Sequence, residues 1–192
     1  SSPSDLIDLT NILDLKGIEL KNKELIRIGS MTTHNEVAGS DVIKHFLPGL
    51  SFLAKNIADN AVRNKGTIGG SICNADPAAD YPAALISLDA NVITNLKSIK
   101  AKNFFVEMFE TSLQDGELVT AIDFPIASHT YYKKFSSLAS RYAIVGVFLT
   151  LKEKEIQVCI TGAANRPFLI DELNSKNLKE INDINFQELN FE

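Results

Sequence analysis

Cysteine, long apolar runs and concentrated positive charge are all scarce in this 192-residue chain, and each shortage excludes a class of protein. The only two cysteines, Cys73 and Cys159, stand far apart and form no C-x-x-C or C…H spacing. That argues against a zinc site or an iron–sulfur cluster within the chain, and no metal ligands are assigned. Two lone thiols suit a reducing compartment and read as small buried apolar side chains, so the expected location is cytoplasmic. No window approaches the roughly eighteen apolar residues of a membrane-spanning helix. Ser1-Ser2-Pro3-Ser4-Asp5 has neither the basic nor the apolar part of a secretory leader. The net charge is −5, and the densest basic run is Lys97, Lys100 and Lys102. A partner as anionic as duplex nucleic acid is not expected on that balance. The three histidines, His34, His45 and His129, are scattered, and no Ser/His/Asp or Cys/His constellation is legible, so no catalytic residue is assigned.

What is present is ordinary for a globular protein: 45% apolar and 22% charged residues, enough for one domain with a sizeable core or two small lobes. The apolar run Leu6 to Leu9 reads as a buried strand. Gly17 to Leu20 and Leu25 to Ile28 alternate around the polar turn Lys21-Asn22-Lys23, a hairpin signal. Thr32 or Thr33 can cap a short helix, and Glu36 stands at capping-box spacing from Thr33. Leu50, Leu53, Ala54, Ile57 and Ala58 follow the stripe of an amphipathic helix. Asn64 to Ser71 reads as a Gly-rich connection. A second helix is expected from Asp80 to Leu88, with Asp80 as N-cap and Pro82 in its first turn. Asn91 to Asn95 and Leu118 to Phe124 read as strands. After a boundary near Ser128, Tyr131 to Phe135, Ala143 to Leu151 and Ile156 to Thr161 predict a three-stranded antiparallel sheet, with a polar turn at Lys152 to Glu155. Asp171 to Glu192 holds six acids against two lysines and reads as a solvated helix with a frayed tail.

The chemistry concentrates between Thr67 and Asp80. Paired glycines remove two Cβ atoms, so backbone N–H groups there can face a concavity and approach a ligand closely. Thr67 and Ser71 place a hydroxyl on either side. Asp80 offers a carboxylate that can accept from sugar or polyol hydroxyls. The set suits a nucleotide-type ligand, although a Gly-Gly turn followed by a capping Asp would account for the same residues. It is neither a Walker loop nor the G-x-G-x-x-G dinucleotide fingerprint.

The wider stretch Asn64 to Ala90 resembles the second FAD motif of the carbon monoxide/xanthine dehydrogenase flavoprotein family. The resemblance is carried by Thr67-Ile68-Gly69-Gly70-Ser71, then Pro77-Ala78-Ala79-Asp80, then Leu85-Ile86-Ser87-Leu88-Asp89-Ala90, without gaps. Thr32-Thr33-His34 upstream and Tyr131 to Gly146 downstream agree with the same family, and His34 reads there as part of a capping segment. The resemblance implies an α+β fold: the second part of a PCMH-type FAD-binding module over 1–128, then a small C-terminal lobe over 129–192 with a three-stranded antiparallel sheet and helices. It implies that Thr67, Ile68, Gly69, Gly70 and Ser71 line the flavin and its diphosphate. Asp80 would hold the ribityl chain, and Lys134 would approach the cofactor from the second lobe. It further implies an electron-transfer subunit of a molybdenum hydroxylase, with iron–sulfur and molybdopterin subunits as partners. Three departures stand out. Ser71 replaces the usual Asn, and Arg141 stands where an acid often precedes the Ala-Ile-Val-Gly strand. The family's first FAD motif, an Ala-Gly-Gly-rich loop, would lie upstream of Leu6. The alternative those departures leave is a flavin-free structural or assembly module of the same fold.

Overall fold

The computed structural model describes residues 5–152, 155–171 and 173. The chain first forms a hairpin of β1 (Ile18–Asn22) and β2 (Leu25–Gly29), in register Ile18 to Ile28. Alternation decides its orientation: Ile26 and Ile28 are fully buried, while Arg27 on the opposite face forks onto Asp123 at 2.7 Å through two nitrogens. Six short helices follow: α1 (His34–Gly39), α2 (Asp41–Phe46), α3 (Pro48–Lys55), α4 (Asn60–Arg63), α5 (Ile68–Asn74) and α6 (Tyr81–Ser87). β3 (Asn91–Thr94), β4 (Ser98–Lys100) and β7 (Val119–Pro125) then complete a five-stranded antiparallel sheet ordered β1-β2-β7-β3-β4. A small ribbon of β5 (Phe105–Glu107) and β6 (Glu110–Thr111) intervenes.

From residue 129 the chain builds a second antiparallel sheet. β8 (His129–Ser136), β9 (Ala143–Lys152) and β10 (Glu155–Thr161) pair in sequence, and β11 (Phe168–Leu169) adds a short fourth strand beside β10. The expected turn joins Lys152 to Glu155, which face each other across the ladder; its two central residues lie outside those described. The expected C-terminal helix and tail fall almost wholly outside the described residues as well.

Every residue of α6 is buried, as a helix apolar all round must be, and it packs against β9 and β10. α3 packs on β8, and the approach is close enough to require glycine. A Cβ on Gly49 would lie 2.7 Å from the Thr130 carbonyl carbon, and the Gly49 N–H donates to Thr130 Oγ1 at 2.9 Å. One hydrophobic cluster therefore joins Ile26, Leu50, Ile72, Leu85 and Phe124 to Tyr132, Phe148 and Cys159 of the second sheet.

The α+β class, the β1–β2 hairpin and the antiparallel pairing of β8, β9 and β10 match expectation, while β11 adds a fourth strand to the three anticipated. Leu6 to Leu9 does not: it is irregular, with Leu6 and Ile7 exposed, because no neighbouring strand among the described residues pairs with it. The amphipathic stripe from Leu50 ends early. α3 stops at Lys55, and Ala58 adopts a left-handed φ of 41°.

Candidate functional site

Gly69 and Gly70 do not form a loop. Thr67 caps α5, its Oγ1 accepting the Gly70 N–H at 3.1 Å, so both glycines lie in the first helical turn. The segment Ser30 to His34 runs beside them. Ile68 N–H donates to the Thr32 carbonyl at 3.0 Å, Gly69 N–H to the Ser30 carbonyl at 2.8 Å, and His34 N–H to the Gly66 carbonyl at 3.0 Å. Thr33 and Thr67 form an antiparallel bridge. Thr33 caps α1 with the anticipated capping box to Glu36. Two helix starts thus lie side by side, each capped by a threonine.

This arrangement corrects one expectation and explains the glycine. The N–H groups from Ile68 to Ser71 all have protein acceptors, so none is left facing open space. Gly69 is needed for packing: a Cβ there would sit 2.6 Å from Ser30 Cβ and 2.7 Å from its carbonyl oxygen.

Above this turn opens a cleft of about 810 Å³. One wall is Met31, His34, Thr67, Gly70 and Ser71; a second is Ile57 to Asp59 with Val62; the third is Ala139 to Tyr142, the loop joining β8 to β9. Lys65, Gly66, Asn74, Asp76, Ala79 and Asp80 complete it. Its size lies in the range of small-molecule sites, and its lining mixes apolar side chains such as Met31, Ile57 and Val62 with hydroxyls, carboxylates and cations, which suits a ligand with both apolar and polar parts. Of the anticipated site residues, Thr67, Gly70, Ser71 and Asp80 line the cleft. Ile68 is fully buried beneath it, Gly69 is packed on Ser30, and Lys134 stands just behind Asp80.

Asp80 occupies the N-cap position of α6 without capping it. Its carboxylate is 6% exposed and accepts instead from the Tyr132 hydroxyl and from Lys134 Nζ, the latter at 3.0 Å. Lys134 Nζ also donates to the carbonyls of Asn56 at 2.9 Å and Arg141 at 3.0 Å, which matches the three protons of an ammonium. Burial raises the Asp80 carboxyl above its ordinary range, against the opposing pull of Lys134 and of the Tyr132 hydrogen bond. Burial, and then the neighbouring Asp80 carboxylate, push the Tyr132 phenol up.

His34, anticipated only as part of a capping segment, proves to line the cleft. It is 4% exposed, and its Nδ1 has no hydrogen-bond partner. Burial, helped by nearby Arg63, depresses its pKa to about 4, so the ring is neutral near pH 7. The ring borders the cleft, while its unpartnered Nδ1 is closed off from solvent. Sequence reasoning missed Met31, Tyr142 and the Ile57 to Asp59 wall as site residues; Met31 and Tyr142 are far from Thr67 in sequence, and Ile57 and Ala58 read there as part of a helix stripe. Cys159 is buried as anticipated, whereas Cys73 is only partly buried. Both are free, and burial pushes Cys73 up to about 11 and Cys159 further. No group of His, Cys, Asp and Glu among the described residues could hold a metal, and none of their helices is long and apolar enough to cross a membrane.

Comparison with known proteins adds an independent line. Residues 1–127 match the family described as the FAD binding domain in molybdopterin dehydrogenase. The glyceraldehyde dehydrogenase medium chain of Sulfolobus acidocaldarius is 34% identical over 95% of this chain and 69% of its own length. The carbon monoxide dehydrogenase medium chain of Afipia carboxidovorans is 33% identical over 90% of this chain, which spans 64% of that relative. Among solved structures, a Cu,Mo-CO dehydrogenase superposes with a TM-score of 0.83 at 30% identity, over 92% of this chain and 67% of the other.

Proposed function

Because the chain belongs to the family of FAD-binding domains of molybdopterin dehydrogenases, its cofactor being FAD, we propose that it is the electron-transfer subunit of a molybdenum hydroxylase complex. In this reading it receives electrons from iron–sulfur clusters on one partner subunit, with molybdopterin on another, and passes them to an external acceptor. The observation that carries the reading is the cleft between α5 and the β8–β9 loop, with the hydroxyls of Thr67 and Ser71 and the neutral His34 ring in its wall. When bound, FAD supplies the redox chemistry through its ring; the chain supplies position and electrostatics.

The proposed roles are these. Thr67 and Ser71 donate hydroxyl hydrogen bonds to the cofactor. Gly70, which carries no side chain, lets it approach α5. Ile68 and Gly69 act from beneath, holding that turn against Ser30 and Thr32. Asp80 keeps lone pairs free beyond its two protein donors, and these accept from ribityl hydroxyls. Lys134 acts as a positioning residue: it fixes Asp80 and the Arg141 carbonyl, tying the loop to the cleft floor. Ser71, in place of Asn, donates over a shorter reach. We also take 1–128 as the FAD module and 129–192 as the C-terminal lobe, in line with the change of sheet at residue 129.

The test is to purify the protein together with its neighbouring subunits and record the visible spectrum before and after acid release. Flavin bands and released FAD in near-equal amount to the chain are expected. Their absence from an intact complex would leave the flavin-free structural module as the better reading.

A further inference from the structure

On the far side of the β8–β9 loop lies a second pocket, of about 550 Å³, bordered by the end of α3 and by β8. Lys55, Arg63, Lys133, Lys134 and Arg141 line it, with the hydroxyls of Ser136 and Ser137. No carboxylate among the described residues does. Five cations around one concavity are unexpected in a chain of net charge −5.

Part of this charge has a structural use. The carbonyls that leave α3 are held by cations: Asn56 by Lys134 at 2.9 Å, Ile57 and Ala58 by Arg63 at 2.8 and 3.0 Å, and Ala58 also by Arg141 at 3.3 Å. Lys134 is further neutralised by Asp80. Those bonds leave two groups over. Neither Lys55 nor Lys133 has an acceptor or a counter-charge, and both are exposed at the pocket. Arg141 places only one guanidinium nitrogen on a protein acceptor, and although Asp59 lies near enough to feel its charge, its other N–H groups are free to donate.

We propose that this pocket is a binding site for a phosphate-bearing small molecule, separate from the FAD cleft. Two unpaired ammonium groups, a guanidinium edge and two hydroxyls make a donor-rich set without a carboxylate, which suits an anion and disfavours a cation or an apolar ligand. The volume exceeds that of inorganic phosphate alone and admits a phosphorylated organic molecule. Phosphate is favoured over a single carboxylate because it engages several cations at once through three oxygens. The site shares Ala58 and Arg141 with the cofactor cleft, so its ligand rests against the same loop that walls FAD.

The experiment is calorimetric titration of the purified full-length protein with pyrophosphate at low ionic strength. Lys55→Glu/Lys133→Glu is expected to weaken binding on the order of tenfold or more, with binding also falling as salt rises. A control reversal away from the pocket, Lys23→Glu/Lys102→Glu, and the cleft-filling Gly70→Phe are each expected to change it less than about twofold. Unchanged melting temperatures confirm that the exposed lysines are not needed for folding. Three results overturn the proposal: no pyrophosphate binding to the wild type, equal loss in the control reversal, or loss in Gly70→Phe, which would put the anion in the cofactor cleft.

Discussion

Asp80 and His34 show how much a single buried group can carry. Asp80→Ala leaves the Lys134 ammonium, 7% exposed, without its counter-charge and the Tyr132 hydroxyl without an acceptor. The expected loss is about 3 kcal/mol in urea unfolding. Asp80→Ala/Lys134→Met should lose less than the sum of the single changes by at least ~1 kcal/mol. Strict additivity would mean that the pair does not couple. His34 sets a pH dependence of definite sign. Its folded pKa is about 4 against 6.5 when unfolded, so the unfolded chain binds the extra proton between those values. Stability is therefore fully present above pH 6.5 and lost as pH falls toward 4, by about 3 kcal/mol in total. His34→Gln should remove that slope from a series of unfolding curves, and an unchanged slope would refute the assignment. Neither role was legible in the sequence. Asp80 looks like a helix cap because its partners lie 52 and 54 residues away, and His34 follows a capping threonine that accounts for it locally.

At the scale of elements, short-range pattern was a sound guide wherever the competing contacts were also short-range. The β1–β2 hairpin, the Thr33 capping box, Pro82 in the first turn of α6 and the β8–β10 strands all follow from alternation or from residues three or four apart. The Gly-rich stretch misled for the opposite reason. Two glycines weaken a helix, and what fixes α5 is its bridge to the Ser30 to His34 segment, a tertiary contact. Leu6 to Leu9 has the apolarity of a strand but no partner among the described residues. A contrast between two helical glycines tests this account of α5. Gly69→Ala meets Ser30 at 2.6 Å and should cost about 2 kcal/mol. Gly39→Ala meets nothing within 4 Å and should be neutral or stabilising by up to ~1 kcal/mol. Equal effects in thermal unfolding would show that the close approach at Ser30 is not what demands glycine.

For the whole molecule, the decisive feature is that two sheets share one hydrophobic cluster, while the β8–β9 loop of the second faces the starts of α1 and α5 and the turn after α3 across a cleft. The motif residues Thr67 to Asp80 supply only part of that cleft; the β8–β9 loop and the end of α3 supply the rest. The sequence marks the α5 side of the cleft by its motif and the β8–β9 loop by the Tyr131 to Gly146 resemblance, and the fold adds the turn after α3, which carries no motif. The claim that this cleft holds FAD is tested most directly by the flavin content of a Gly70→Phe variant purified with its partner subunits. Gly70 is exposed on the cleft wall, and an added Cβ there meets only Thr67 Oγ1, at 3.1 Å, so the fold should tolerate the change. The expected result is FAD per chain reduced at least about tenfold, in a variant whose cofactor-free form melts as the cofactor-free wild type does. A variant that folds normally and retains its full complement of FAD would contradict the placement of the cofactor in this cleft.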